Sequence, residues 1–140
     1  MQIGVKASRA VGSKRVFVVD DDEITRAVLQ LMLQDENETH DLPDLDAAFS
    51  KARDWPPNLL LLGLSVVRTA PSVLASVAQR LPGAAVLLVT ERGEEKAAQV
   101  HVGNGAHGVV SKPLTVESVR RRVDAVLGLS QASLIQLQVL

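Results

Sequence analysis

The chain has 140 residues, 46% hydrophobic and 22% charged, with 15 basic against 16 acidic side chains and no cysteine. That length suits a single domain, and the balanced charge excludes a general attraction to nucleic acid or to an anionic membrane. The missing thiols exclude disulfides and redox chemistry and fit a reducing cytoplasm.

The opening stretch MQIGVKASRAVGSKR carries Lys6, Arg9, Lys14 and Arg15 without a continuous apolar core. It is therefore no signal peptide, and residues 1–13 are expected to be a flexible basic tail. Residues 15–20, RVFVVD, form a continuous β-branched and aromatic run, the pattern of a strand buried on both faces of a parallel sheet. Ile24, Ala27, Val28, Leu31 and Met32 follow at helical spacing as one apolar face. Asp21, Asp22 and Glu23 stand near the helix N-terminus, where its dipole favours carboxylates. ETHDL at 38–42 carries a faint strand signal. After Pro43, Asp44 is placed to cap a helix in which Leu45, Ala48, Phe49 and Ala52 share a face, ended by WPP at 55–57.

The third strand, Leu59 to Leu64, lacks β-branching, so it rests on length, flanking prolines and place in the alternation. Pro71 and Ser72 open a short helix with Val73, Leu74, Val77 and Leu81 inward, stopped by Pro82 and Gly83. AAVLLVT at 84–90 is the fourth strand and EEKAAQVHV a short helix. Gly103, Asn104 and Gly105 suit a left-handed turn before the fifth strand, HGVVS at 107–111. The last helix carries Val116, Val119, Val123, Val126 and Leu127 on one side and runs to Gly128. Five strand-helix units predict an α/β fold whose parallel sheet is covered on both faces. No apolar run approaches the ~20 residues a membrane span needs, so a soluble cytoplasmic protein is expected.

Open sheets of this kind place their sites beyond the carboxyl ends of the strands. The residues there are Asp20 to Asp22, Gly63 to Ser65, Thr90 and Glu91, and Ser111 to Pro113. With VFVVDDDE, LLVTE and GAHGVVSKP in this order, residues 14–127 resemble the receiver domain of two-component response regulators. The resemblance implies a flavodoxin-like (βα)5, doubly wound, five-stranded sheet over residues 14–128. Its strand order, 2-1-3-4-5, is a known property of that family and comes with the resemblance, since periodicity along the chain gives no strand order. The resemblance also implies that Asp20 and Asp21 are the acidic pair that holds Mg²⁺, and that Thr90 and Lys112 are the switch hydroxyl and the lysine that contact phosphoryl oxygens. Pro113 would follow a cis peptide bond.

In such receivers an aspartate ending the third strand takes the phosphoryl group from a histidine kinase. Here that position is Gly63, which has nothing to phosphorylate. Its loss also removes a metal ligand, and Mg²⁺ dehydrates too reluctantly to be held well by Asp20 and Asp21, so Mg²⁺ binding is expected to be weak or absent. Val109 replaces the aromatic residue that typically swings within the fifth strand, and SVVRTAP lacks the proline usual after the acceptor. Without a metal, adjacent carboxylates repel, and Lys112 is expected to pair directly with Asp20 or Asp21.

These departures lead to a phosphorylation-independent protein-interaction module, not an enzyme. Its partner, a histidine kinase or an output domain, would bind through the fourth helix, fifth strand and fifth helix. The alternative is a phosphorelay receiver phosphorylated at a nonstandard residue, for which Ser65 is displaced and lacks a base. A nucleotide- or cofactor-binding protein of the same architecture is disfavoured because no G-x-x-x-x-G-K-[ST] or G-x-G-x-x-G motif follows a strand. His40, His101 and His107 show no metal-ligand spacing. Arg120 to Arg122 read as a solvated face or partner contact, not a nucleic-acid site. Residues 129–140 form an apolar extension, since 125–140 contain no charged side chain, and are expected to serve self-association as a homodimer or docking.

Overall fold

The computed structural model describes residues 14–70 and 72–139. The elements are β1 (Arg15–Val19), α1 (Glu23–Leu33), β2 (Glu38–Leu42), α2 (Leu45–Ala52), β3 (Leu59–Gly63) and α3 (Leu64–Thr69). They continue with α4 (Val73–Arg80), β4 (Ala85–Thr90), α5 (Glu95–Gln99), β5 (Gly108–Ser111) and α6 (Val116–Val139). All strand pairs are parallel and the sheet order is β2-β1-β3-β4-β5. This is the flavodoxin-like arrangement, with the strand order that the resemblance implied.

The period-2 alternation of side chains divides the core between the two faces of the sheet. Phe17, Val19, Leu60, Leu62, Val86 and Leu88 pack with Ala48, Leu64, Val67, Leu74, Val77 and Ala98 on one face. On the other, Val16, Val18, Leu59, Leu61, Leu87 and Val89 meet Leu29 and Leu33 of α1 and Val119, Val123 and Val126 of α6. The four leucines of β3 are wholly buried. Pairing on both edges with β1 and β4 holds them extended, although leucine has little strand preference of its own.

Four expectations are corrected. The buried face of α1 is Thr25, Leu29 and Leu33, not Ile24, Ala27, Val28 and Leu31; Ile24 is 73% exposed and Leu31 67%. The helix carries two apolar stripes, and the one with Leu29 and Leu33 faces the sheet. Thr25 can join it because its hydroxyl donates to Asp22 Oδ2 at 2.6 Å, so no polar atom is stranded.

The third strand ends at Gly63, and Leu64 opens α3 instead of closing β3. Val66, Val67 and Thr69 are β-branched and weaken the helix signal, but Leu64 and Val67, one turn apart, are buried and hold α3 against the sheet. Pro71, expected to open the next helix, lies outside the described residues. The last helix passes through Gly128 and continues to Val139, so a single glycine does not end it. Val116, expected inward, is 45% exposed at its first turn. The predicted tail 1–13 and the side chains of 129–140 lie outside the described residues.

Other local expectations hold. Asp44 Oδ1 accepts from the Ala47 N–H at 2.9 Å and caps α2. Gly103 and Gly105 adopt positive φ, 90° and 114°. His107 is a structural group: its N–H donates to the Val86 carbonyl at 2.8 Å, and its ring Nδ1 accepts from the Val86 N–H at 2.9 Å. His40 bonds to Glu38, which Arg15 also grips at 2.6 Å.

Candidate functional site

The carboxyl ends of β1, β3, β4 and β5 meet where the connections to the helices begin. Asp20, Asp21, Gly63, Thr90 and Lys112 all stand at this end of the sheet; a hollow of about 220 Å³ there is bounded by Asp20, Asp21, Ser65, Arg68, Glu91 and Glu94, while Lys112 borders a separate one with Asp22 and Pro113.

Asp20 follows β1 directly and is only 6% exposed. Its Oδ1 accepts from the Asp22 N–H at 2.8 Å, and its backbone carbonyl accepts from Arg26 at 2.8 Å. Burial pushes its carboxyl up to about 6, against the Asp22 N–H; the Asp21 carboxylate beside it adds to the rise and the Lys112 charge opposes it.

The carboxyl group of Asp20 leans into the room beside Gly63. A Cβ placed on Gly63 would stand 2.7 Å from Asp20 Cγ and closer still to Oδ2. The backbone of Gly63, φ −62° and ψ 135°, is one that any residue adopts. The glycine is therefore not required by a turn; what it accommodates is the neighbouring carboxyl group.

Asp21 and Asp22 differ from Asp20 because both are exposed. Asp21 Oδ1 accepts from the Ser65 hydroxyl at 2.8 Å, tying the β1–α1 turn to α3. Asp22 is the N-cap of α1, accepting from the Ile24 N–H at 3.2 Å and from Thr25. The Thr25 hydroxyl is the main reason its carboxyl lies below the usual range.

Lys112 does not pair with Asp20 or Asp21, as the sequence led us to expect. Its Nζ lies 2.7 Å from Glu91 Oε2 and 3.6 Å from Asp22 Oδ2. Glu91 is the residue after β4, and the parallel register of Thr90 with Ser111 brings it beside Lys112. The exposed carboxylate can pair without being desolvated, whereas Asp20 is occupied beside Gly63. Burial alone would lower the Lys112 ammonium, but the hydrogen bond and charge of Glu91, with Asp20 and Asp22 beyond, hold it above the ordinary lysine value. The Lys112–Pro113 peptide bond is cis, as the resemblance implied.

Thr90 ends β4 and is 1% exposed; its Oγ1 is buried without a hydrogen-bond partner among the described residues. Val109 is partly buried against the core on the same face of the sheet as α5. Two further ties cross the rim: Arg68 of α3 meets Glu94 at 2.8 Å, and the Ser111 hydroxyl donates to Glu95 at 2.5 Å. Sequence reasoning pointed to Glu91 and Ser65 by position but missed Arg68 and Glu94, whose pairing depends on α3 being a helix.

The residues present do not fit Mg²⁺ well. The middle strand supplies no carboxylate, Asp20 faces Gly63 and the Asp22 N–H, and no group of three or more His, Asp or Glu side chains among the described residues is placed to hold an ion.

A model of the response regulator receiver domain matches residues 16–124. The chemotaxis protein CheY of Halobacterium salinarum is 26% identical over 117 residues, covering 82% of this chain and 98% of that relative. Among solved structures, NtrX from Brucella abortus in complex with ADP superposes with a TM-score of 0.80 at 22% identity, over 91% of this chain and 29% of its own. A response regulator from Thermotoga maritima superposes with a TM-score of 0.74 at 18% identity, over 83% of this chain and 98% of its own. At these identities the two structures show the shared fold alone, and this chain spans under a third of the NtrX chain.

Proposed function

We propose that this chain, which belongs to the response regulator receiver domain family of two-component signal transduction, signals by binding a protein partner without accepting a phosphoryl group. It is a module of recognition in the cytoplasm, not an enzyme. The observation that carries this reading is the Asp20 carboxyl group standing where a side chain on Gly63 would begin. Phosphoryl transfer needs a positioned oxygen nucleophile and charge stabilisation around it, and the first of these is missing from the end of β3. With two carboxylates and no third ligand, Mg²⁺ binds weakly or not at all.

The rim supports the same reading. Ser65 with Asp21, Arg68 with Glu94 and Lys112 with Glu91 join neighbouring loops side chain to side chain. Of the two groups that would contact an incoming phosphoryl group, Lys112 is thus engaged with Glu91, while Thr90 Oγ1 has no partner among the described residues. The partner, a histidine kinase or an output domain, reads the face formed by α5, β5 and α6, where Val100 at the end of α5 is 65% exposed. Val109 in place of an aromatic ring leaves that face without the usual moving part. Among the described residues, no helix is long and apolar enough to cross a membrane.

A second reading is favoured by one contact. Ser65 donates to a carboxylate at 2.8 Å, which gives its hydroxyl a base of modest strength. Incubation with a small acyl phosphodonor and Mg²⁺, followed by intact-mass measurement, separates the two. The expected result is an unchanged mass. A gain of one phosphoryl group that disappears in Ser65→Ala establishes phosphorylation at the nonstandard residue and overturns the first reading.

A further inference from the structure

The chain holds three asparagines, Asn37, Asn58 and Asn104, and only Asn104 is followed by a glycine. That pairing matters chemically, because a main-chain nitrogen can attack the side-chain amide of the asparagine before it, and glycine has no side chain to block the approach. The pair stands in the turn between α5 and β5, with Asn104 exposed and Gly105 half-buried. Around it, Gly103 donates to the Ala106 carbonyl at 2.9 Å, and Asn104 and Ala106 donate to the His101 carbonyl at 2.9 and 3.1 Å. The Gly105 N–H makes no hydrogen bond among the described residues. The nitrogen that would attack is therefore the one the turn leaves unused.

The fold also keeps that glycine in place. Gly105 has a φ of 114°, which L side chains rarely adopt, and a Cβ there would stand 3.0 Å from Leu74 Cβ of α4. A bulkier residue that would shield Asn104 is thus excluded by the turn itself. What holds the amide back is one bond: Asn104 Nδ2 donates to the Val100 carbonyl at 3.1 Å and caps the end of α5. A single exposed hydrogen bond opens with local fluctuation of the loop and leaves the core undisturbed. The other asparagines are placed differently. Asn58 Oδ1 accepts from the Arg15 N–H at 2.8 Å, and the residue after it is Leu59, wholly buried in β3. Asn37 precedes Glu38, whose N–H donates to the Lys14 carbonyl at 2.9 Å.

We propose that Asn104 is a site of spontaneous deamidation in the folded chain, and that the reaction removes the cap from α5. The Gly105 nitrogen gives up its proton to solvent base and bonds to Asn104 Cγ; the Cγ–Nδ2 bond breaks, and Nδ2 leaves as ammonia from a cyclic succinimide. Water then opens the ring at Cγ to give an aspartate, or at the main-chain carbonyl to give an isoaspartate whose chain runs through Cβ. Ammonia leaves, water enters, and nothing is oxidised or reduced. The product carries a carboxylate in place of the amide, so it cannot donate to the Val100 carbonyl, and its charge opposes the free carbonyls at the end of α5. A new negative charge thereby appears beside the face formed by α5, β5 and α6. What that charge does to a bound partner rests on the function proposed above; the reaction itself does not.

The full chain, incubated folded in warm, mildly alkaline buffer, is expected to gain about one dalton in intact mass and one negative charge on isoelectric focusing. Tandem mass spectrometry is expected to place the change at position 104, in the tryptic peptide that begins at Ala97, and a methyltransferase that esterifies isoaspartate is expected to label that peptide. Asn104→Gln must close a larger ring and is expected to lose all of these signals with unchanged circular dichroism. The folded wild type is expected to react within about tenfold of the rate in urea, since the loop opens without the core. A reaction confined to the chain unfolded in urea overturns the proposal. So does one located at Asn37 or Asn58 with Asn104 intact, or an equal mass gain in Asn104→Gln. For the cap, Asn104→Asp is expected to speed hydrogen exchange over residues 100–106 relative to the wild type, and unchanged exchange there overturns the uncapping of α5.

Discussion

Asp20 and Gly63 share one volume: the carboxyl group of the first fills the position from which a side chain on the second would project, 2.7 Å from Cγ to an ideal Cβ. Neither residue can be understood alone. The carboxyl group is buried at the end of β1 because the end of β3 leaves room for it.

Gly63→Ala is therefore expected to destabilise the wild type by about 1–3 kcal/mol, the usual range for inserting a methyl group into filled space. In an Asp20→Ala background the same change is expected to be neutral or to stabilise by about 0.4–1 kcal/mol, since φ and ψ at 63 suit alanine and the unfolded chain loses entropy. Urea unfolding of the four proteins measures the coupling. Equal costs of Gly63→Ala in both backgrounds would show that the two residues do not compete for space.

The buried carboxyl group makes stability depend on pH in an unusual direction for an aspartate. Its folded value, about 6, lies above the ordinary 3.8, so between these values the folded state holds more protons than the unfolded state. Stability from this group therefore falls as pH rises from about 4 to about 6, by on the order of 1.4 kcal/mol for each pH unit, and is level above. Asp20→Asn is expected to remove that slope and to be more stable than the wild type at neutral pH. Parallel urea midpoints for the two proteins from about pH 4 to about pH 8 test the sign, and a difference that does not change with pH would contradict it.

Lys112 is expected to couple to Glu91 more strongly than to Asp21. Glu91 is largely exposed, and solvent screening limits the pair to about 0.2–1 kcal/mol. Double-mutant cycles with Lys112→Ala, Glu91→Ala and Asp21→Ala measure both couplings. A larger coupling to Asp21 would restore the pairing expected from the sequence.

The contrast between these residues shows where a linear reading stops. Val16 to Val19 and Val86 to Val89 were legible as short continuous apolar runs, the mark of strands buried on both faces, and Val119, Val123 and Val126 because burial of one helix face imposes a period of about 3.6. On α1 the same logic failed: two apolar stripes overlap there, and choosing between them required knowing that Thr25 could bury its hydroxyl against Asp22. Leu64 was misassigned for a related reason, since α3 owes its stability to burial of Leu64 and Val67 and not to local preference.

By itself the sequence determined the alternation of strands and helices, the order of acidic, hydroxyl and lysine positions around the mouth of the sheet, and the absence of an oxygen nucleophile at Gly63. These are properties of residue identity and spacing. Only the tertiary structure decided that Asp20 takes up the space beside Gly63, that Lys112 turns to Glu91, and that Ile24 and Leu31 face outward. Each of those outcomes depends on distances between residues far apart in the chain and on the competing costs of burying charge, stranding polar atoms and leaving space unfilled.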